Sequence, residues 1–193
     1  MKSVFFDVDT QIDFLFPAGA LYVPGGEKTI GTLGRLNRYA ATQGIVVVST
    51  TDAHAEDDPE FRQWPPHCVA GTTGQQKPSA TLLDKRVTIP NAPCAIGLAG
   101  AQQVLLEKQR LDCFTNVNLS QILSALAADR YVVYGVVTEI CVRLAAFGLL
   151  KTGKRVELVT DAMLSLDDPQ AADFVRDFQA QGGVLTAVAA ATS

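Results

Sequence analysis

Histidine is nearly absent from this chain. The 193 residues hold two, and both fall within one sixteen-residue window from Asp52 to His67. Basic excess is absent as well. Sixteen Lys and Arg stand against 20 Asp and Glu, a net charge of −4 that excludes the electrostatic footprint of a nucleic-acid binder. No apolar run is long enough to cross a bilayer, so no membrane partner is expected. The opening residues MKSVFFDVDTQIDF lack a cationic start, a long apolar stretch and a small-residue cleavage site, and a cytoplasmic location is expected. The four cysteines (Cys68, Cys94, Cys113, Cys141) show no C-x-x-C spacing and are expected as reduced thiols rather than a disulfide framework. No internal repeat, low-complexity tract or linker divides the chain. Its length suits one domain, residues 1–193, with a sizeable core.

Against that background, short apolar runs rich in β-branched residues stand out. They are Val4–Val8, Ile45–Thr51, Tyr131–Val137, Arg155–Thr160 and Val184–Val188, with Val104–Glu107 a weaker sixth. Continuous apolar runs of this length suit strands buried on both faces of a parallel sheet. Stretches of helical spacing lie between them. Ile30 to Ala40 leads to Gly44, Leu119 to Leu126 gives a second helix, Val142 to Leu150 ends near Gly153, and Phe174 to Ala180 ends at Gly182 and Gly183. The alternation predicts an α/β fold: a doubly wound, mainly parallel six-stranded sheet flanked by helices. The region from Asp52 to Pro93 shows no periodicity and carries six of the nine prolines. A long irregular stretch in a compact fold is usually functional.

In such a sheet, ligands bind beyond the carboxyl ends of the strands. The first predicted strand ends at Asp7 and Asp9, the second at Asp52 and His54, the weak one near Lys108, and the fourth before Cys141. Asp52, His54, Glu60 and His67 form a plausible ligand set for a divalent ion, two imidazoles with two carboxylates. The bland alternative is a pair of surface histidines. Cys141 falls in the first turn of a predicted helix, where free N–H groups and the helix dipole lower a thiol pKa. It reads equally as a small buried apolar side chain. Asp9 reads as a site carboxylate or a turn cap, Asp13 as a turn or capping carboxylate, and Lys108, in a polar run, as a solvated cation by default. Glu139 could be a carboxylate matched to the helix dipole.

Four segments then carry a resemblance. DTQIDFLFPAGALYVPGG (Asp9 to Gly26), VVVSTTDAHAEDDPEFRQWPPHCVAGTTG, LEKQRLDCFTNVNL and GVVTEICVRLAAFGLLKTGKRVELVTDA resemble, in order, the motifs of the isochorismatase-like cysteine hydrolases, most closely the nicotinamidases. The resemblance implies a triad of Cys141 as nucleophile, Asp9 as its base and Lys108 as the cation beside the thiolate. It implies a cis peptide at Val136–Val137 and an oxyanion hole from the N–H groups of Val137 and Cys141. The metal set maps to Asp52, His54 and His67. Glu60 is assigned as the remaining ligand, with Asp57 and Asp58 as rivals. Phe14 and Trp64 would line a slot for a flat ring.

The implied activity is hydrolysis of a small amide through a cysteine thioester, with nicotinamide as the leading substrate and a divalent metal ion, zinc or alternatively iron or manganese, as cofactor. The segment KQRLDCF lacks the glycine that nicotinamidases commonly place after the lysine, and TEIC carries Glu139 where they usually carry Asp. Those departures keep open another small amide, an N-carbamoyl compound or an isochorismate-type ether. Members of the family often self-associate, so a homo-oligomer is an open expectation.

Overall fold

The computed structural model describes residues 1–193. Seven strands run β1 (Ser3–Val8), β2 (Val46–Asp52), β3 (Arg86–Ile89), β4 (Gln103–Lys108), β5 (Arg130–Val136), β6 (Arg155–Leu164) and β7 (Val184–Thr186). The helices are α1 (Ile12–Leu15), α2 (Gly26–Thr42), α3 (Leu119–Leu126), α4 (Arg143–Leu150), α5 (Asp168–Ala180) and α6 (Val188–Ala191). A π-helical turn, Thr138–Val142, leads into α4.

All the strands pair in parallel in the order β3-β4-β2-β1-β5-β6-β7. The expected sheet of six is therefore a sheet of seven. The added member is β3, four residues reading Arg-Val-Thr-Ile at the sheet edge, inside the stretch that shows no periodicity. An edge strand this short, with only Ile89 buried, carries too little alternation to register as a pattern. β6 also runs beyond Thr160 to Leu164, and the run expected to extend to Val188 stops at Thr186, where α6 follows an extended Ala187.

The apolar runs bury both sheet faces because successive side chains point to opposite sides. Val4, Phe6 and Val8 pack with α3, α4 and α5. Phe5 packs on the other face with Leu33, Leu36 and Ala40 of α2. Phe5 and Phe6 are both fully buried, each contributing about 1.5–3 kcal/mol of hydrophobic stabilisation. Asp7 shares the face of Phe5 and is fully buried too. Its carboxylate lies 3.0 Å from Lys77 Nζ and accepts from Thr10 Oγ1 at 2.7 Å, and from Asn37 Nδ2 and Ser49 Oγ at 3.1 Å each. A buried carboxylate with that many partners is a structural clamp, tying α2, β2 and the loop before Pro78 to β1.

The strand order reverses between β1 and β5, so the crevice at their carboxyl ends is the switch point where ligands bind in such sheets. Three backbone features shape it. Asp9 adopts a left-handed conformation, φ 49°, which turns the chain off the sheet. Val136–Val137 is cis, as the resemblance implied. Gly135, with φ 122°, sits where β5 and β6 shift register. A Cβ at that position would meet Val8 O at 2.2 Å. Gly135→Ala is therefore expected to lower unfolding free energy by about 2–4 kcal/mol, read as a drop in the urea midpoint at unchanged m-value. A shift within error of zero would mean that the β1–β5 contact is looser than described.

Candidate active site and metal centre

The chain at or just beyond the ends of β1, β2, β4 and β5 delivers Asp9, Asp52, Lys108 and Cys141 to the crevice. β4 ends on Lys108, which is fully buried. Its Nζ lies 2.9 Å from Asp9 Oδ2, 2.5 Å from Asp52 Oδ1 and 4.0 Å from Cys141 Sγ. The structure thus brings Asp9, Lys108 and Cys141 together, and the lysine is no solvated cation. Burial alone would lower the Lys108 pKa. The carboxylates of Asp52 and Asp9 and the thiol of Cys141 outweigh it and push it well above the usual lysine value. The ammonium is therefore permanent at neutral pH.

Burial raises the Cys141 thiol well above its ordinary value; Lys108 opposes this, while Asp9 and Asp52 add to it. The resting thiol keeps its proton, and the Asp9 carboxylate is the acceptor beside it. Asp9 is held in place by Thr50. Its Oδ1 accepts from Thr50 Oγ1 at 2.6 Å, and its N–H donates to Thr50 O at 3.1 Å. Oδ2 makes no well-aligned hydrogen bond, only the ionic contact with Lys108, and so is left for the thiol.

Cys141 lies in the π-helical turn rather than the first turn of an α-helix. Ile140 and Val142 N–H both donate to Val137 O at 3.1 Å, wrapping the turn about Val137, whose own N–H makes no backbone hydrogen bond. The other thiols lack this setting. Cys68 and Cys113 are buried, and desolvation raises both; Cys94 is exposed.

Beside the thiol stands the second cluster. Asp52 Oδ2 lies 4.0 Å from His54 Nε2 and 4.0 Å from His67 Nε2. Glu60 Oε1 lies 3.9 Å and 4.0 Å from the same two nitrogens. His54 Nδ1 faces Asp58 Oδ2 at 3.1 Å and His67 Nδ1 faces Pro65 O at 2.8 Å. Both acceptors place the proton on Nδ1, so both Nε2 lone pairs turn to the common centre. His54 Nε2 is buried with no hydrogen-bond partner. Burial lowers the pKa of His67 and keeps the ring neutral, as ligation requires. A tetrahedral zinc site with bonds of about 2.1 Å has edges of about 3.4 Å; Asp52, His54 and His67 form the compact buried trio closest to that geometry, and Glu60 stands against the two histidines outside the trio.

The rival acids are placed elsewhere. Asp57 is exposed. Asp58 orients His54, and its other oxygen accepts from Glu60 N at 2.9 Å and contacts Arg110 at 3.3 Å. Burial resists ionisation of Asp58, but the Glu60 N–H, the His54 ring and Arg110 prevail and hold its carboxyl below the usual range. Asp52 is the shared member of the two clusters, with one oxygen on Lys108 and the other on the histidines.

The crevice holds about 380 Å³ including its open mouth, with Cys141, Asp9 and His67 in its wall. Phe14 and Trp64 both line it, joined by Leu21, Leu111 and Leu166, which sequence reasoning missed. Those leucines sit in loops without periodicity, so nothing local marks them. Glu139 Oε1 accepts from the N–H groups of Leu166 and Asp167, each at 2.8 Å, and so hangs the loop bearing Leu166 from the turn that carries Cys141. Asp13, expected as a turn carboxylate, caps Ala20 N–H and reaches Cys68 N–H, 55 residues away, at 2.7 Å. No helix is long and apolar enough to cross a membrane.

Fold and site together define a class, single-domain α/β proteins on a parallel sheet with a buried cluster of ionisable side chains at the switch point. Within that class the chain belongs to the isochorismatase family, whose model, described as an Isochorismatase domain, matches residues 94–190. Among its relatives is the nicotinamidase of Escherichia coli strain K12, 24% identical over 94% of this chain and 93% of that protein. The pyrazinamidase of Pyrococcus horikoshii, solved in complex with zinc, has a TM-score of 0.82 at 27% identity, covering 97% of this chain and 99% of that one. N-carbamoylsarcosine amidase from Thermoplasma acidophilum has a TM-score of 0.77 at 28% identity, covering 97% of each chain.

The geometry yields a test that bypasses catalysis. Asp58→Asn leaves all four donor atoms in place but weakens the acceptor behind His54. Zinc affinity, measured by competition with a chelating dye, is expected to fall about 10–100-fold. Unchanged affinity would remove Asp58 from the metal centre.

Proposed function

We propose that this chain hydrolyses nicotinamide to nicotinate and ammonia through a thioester on Cys141. The observation that carries the reading is the placement of Cys141 Sγ 4.0 Å from a buried ammonium that itself lies 2.9 Å from Asp9. As sulfur attacks the amide carbon, the thiol proton passes to Asp9 Oδ2. Lys108 stabilises the sulfur's developing negative charge, and the N–H groups of Val137 and Cys141 hold the oxyanion. Collapse breaks the C–N bond. Asp9 returns its proton to the departing nitrogen, and ammonia leaves. Water then attacks the thioester and gives a proton to Asp9. The C–S bond breaks, the sulfur takes the proton back from Asp9, and nicotinic acid leaves, ionising to nicotinate in solvent.

Phe14 and Trp64 hold the ring between apolar surfaces, and burial at the base of the crevice excludes bulk water. Asp52, His54, Glu60 and His67 would hold a divalent ion, a Lewis acid able to bind the pyridine nitrogen or a water and so orient the ring. Zinc is the ion proposed, and iron or manganese suits the same donor set. A second substrate class, the N-carbamoyl compounds, is favoured by the 28% identity with the Thermoplasma acidophilum amidase.

The deciding assay is ammonia release by purified, zinc-loaded protein from nicotinamide and from N-carbamoyl compounds, with Cys141→Ala alongside. Release from nicotinamide is expected, with a loss of at least about 10³-fold in the variant. Dialysis against a chelator is expected to remove activity towards the ring amide, and zinc to restore it. Release from the carbamoyl compounds alone would replace the ring amide as substrate. Full activity in Cys141→Ala would sink the thioester mechanism.

A further inference from the structure

We propose that Gln11 is a positioning residue that holds Asp52 in register, and through it couples the Lys108 ammonium to the metal-ligand set. β1 and β2 pair as far as Val8 opposite Thr50. The left-handed Asp9 then carries the backbone away from the ladder, yet β2 continues to Asp52. The side chain of Gln11 occupies the place a strand backbone would take. Its Oε1 accepts from Asp52 N at 2.7 Å, and its Nε2 donates to Asp52 O at 2.8 Å. That is the paired donor and acceptor of a β-ladder, supplied by an amide side chain. The remaining Nε2 hydrogen goes to Gln75 O at 2.7 Å, which ties the segment after His67 to the same point. Gln11 is fully buried, and its whole donor capacity is used.

Asp52 needs such a hold because it does two jobs in two directions. Oδ1 lies on Lys108 and Oδ2 faces His54 and His67. A rotation of its backbone that improved one contact would spoil the other. On the β4 side the ladder holds this segment, with Asp52 opposite Lys108 and Ala53 N–H donating to Lys108 O at 2.9 Å, but on the β1 side no strand backbone reaches Asp52. Gln11 grips its N–H and C=O together, and Gln11 touches no donor atom of the metal set. This reading rests on the proposed metal-assisted hydrolysis, but its central readout does not need turnover.

The test replaces Gln11 with methionine, which matches its length and volume without the amide. Cobalt(II) is titrated into metal-free wild type and Gln11→Met, following the visible d–d spectrum and competition with a chelating dye. The expected result is a 10–100-fold loss of cobalt affinity with a changed spectrum, and a loss of kcat on nicotinamide of the same order at little-changed KM. Unchanged affinity and spectrum in a folded variant would overturn the proposal, even if its thermal midpoint fell, and so would a wild type that binds no cobalt.

If Gln11→Met does not fold, Gln11→Glu serves, since it keeps the acceptor for Asp52 N–H and loses the donor. A spectrum and affinity equal to wild type in that variant would overturn the proposal equally. Should wild type bind cobalt but release no ammonia from nicotinamide, the substrate reading falls, and the cobalt comparison still decides the role of Gln11.

Discussion

A single buried ammonium organises this molecule. Lys108 has no solvent contact and lies between two carboxylates and a thiol, all of them buried. Alone, none of these charges would tolerate desolvation, and removal of one partner from a buried pair costs about 3–5 kcal/mol. Together the ammonium and its two carboxylates offset one another's burial, and that mutual dependence fixes where three strand ends meet. The group is not neutral. Asp9 and Asp52 leave one negative charge beyond Lys108, and Glu60 adds another on the far side of the histidines. A dication in that centre would offset both, so the electrostatics of the site fit the donor chemistry of the ligand set.

The two clusters are accordingly one system. Asp52 belongs to both, and burial lifts its carboxyl to about 6, reinforced by Asp9 and opposed by Lys108. A group that holds an ammonium with one oxygen and faces two imidazoles with the other cannot move for one purpose alone. The buried thiol beside Lys108 and the histidine cluster are thereby kept in fixed relation.

How much of this could be read in advance depended on whether a residue signals locally. Strands β1, β2 and β5 announced themselves because burial on both faces leaves an unbroken apolar run. β3 did not, since an edge strand of four residues with one buried side chain has no run to show. His54 and His67 stood out because histidine is so scarce here, and Cys141 because a helix was expected just after a strand. Lys108 gave no local sign of burial; its polar neighbours suggested solvent, and only the resemblance singled it out. Gln11, Asp58, Asp13 and Glu139 were given no such role for the same reason. Their work is done across 41, 4, 55 and 27 or 28 residues of sequence, by hydrogen bonds that no periodicity encodes. The π-helical turn was likewise hidden, because one extra residue in a turn leaves composition unchanged.

The hydrogen bonds from Glu139 to the Leu166 loop have a mechanical meaning. The loop bearing Leu166 is fastened both to the end of β6 and to the turn Thr138–Val142 that carries the thiol. Thermal displacement of that turn carries loop and thiol together, so the gap between them is insulated from motions that would otherwise change it. One carboxylate joint thereby links a wall of the crevice to the thiol it faces.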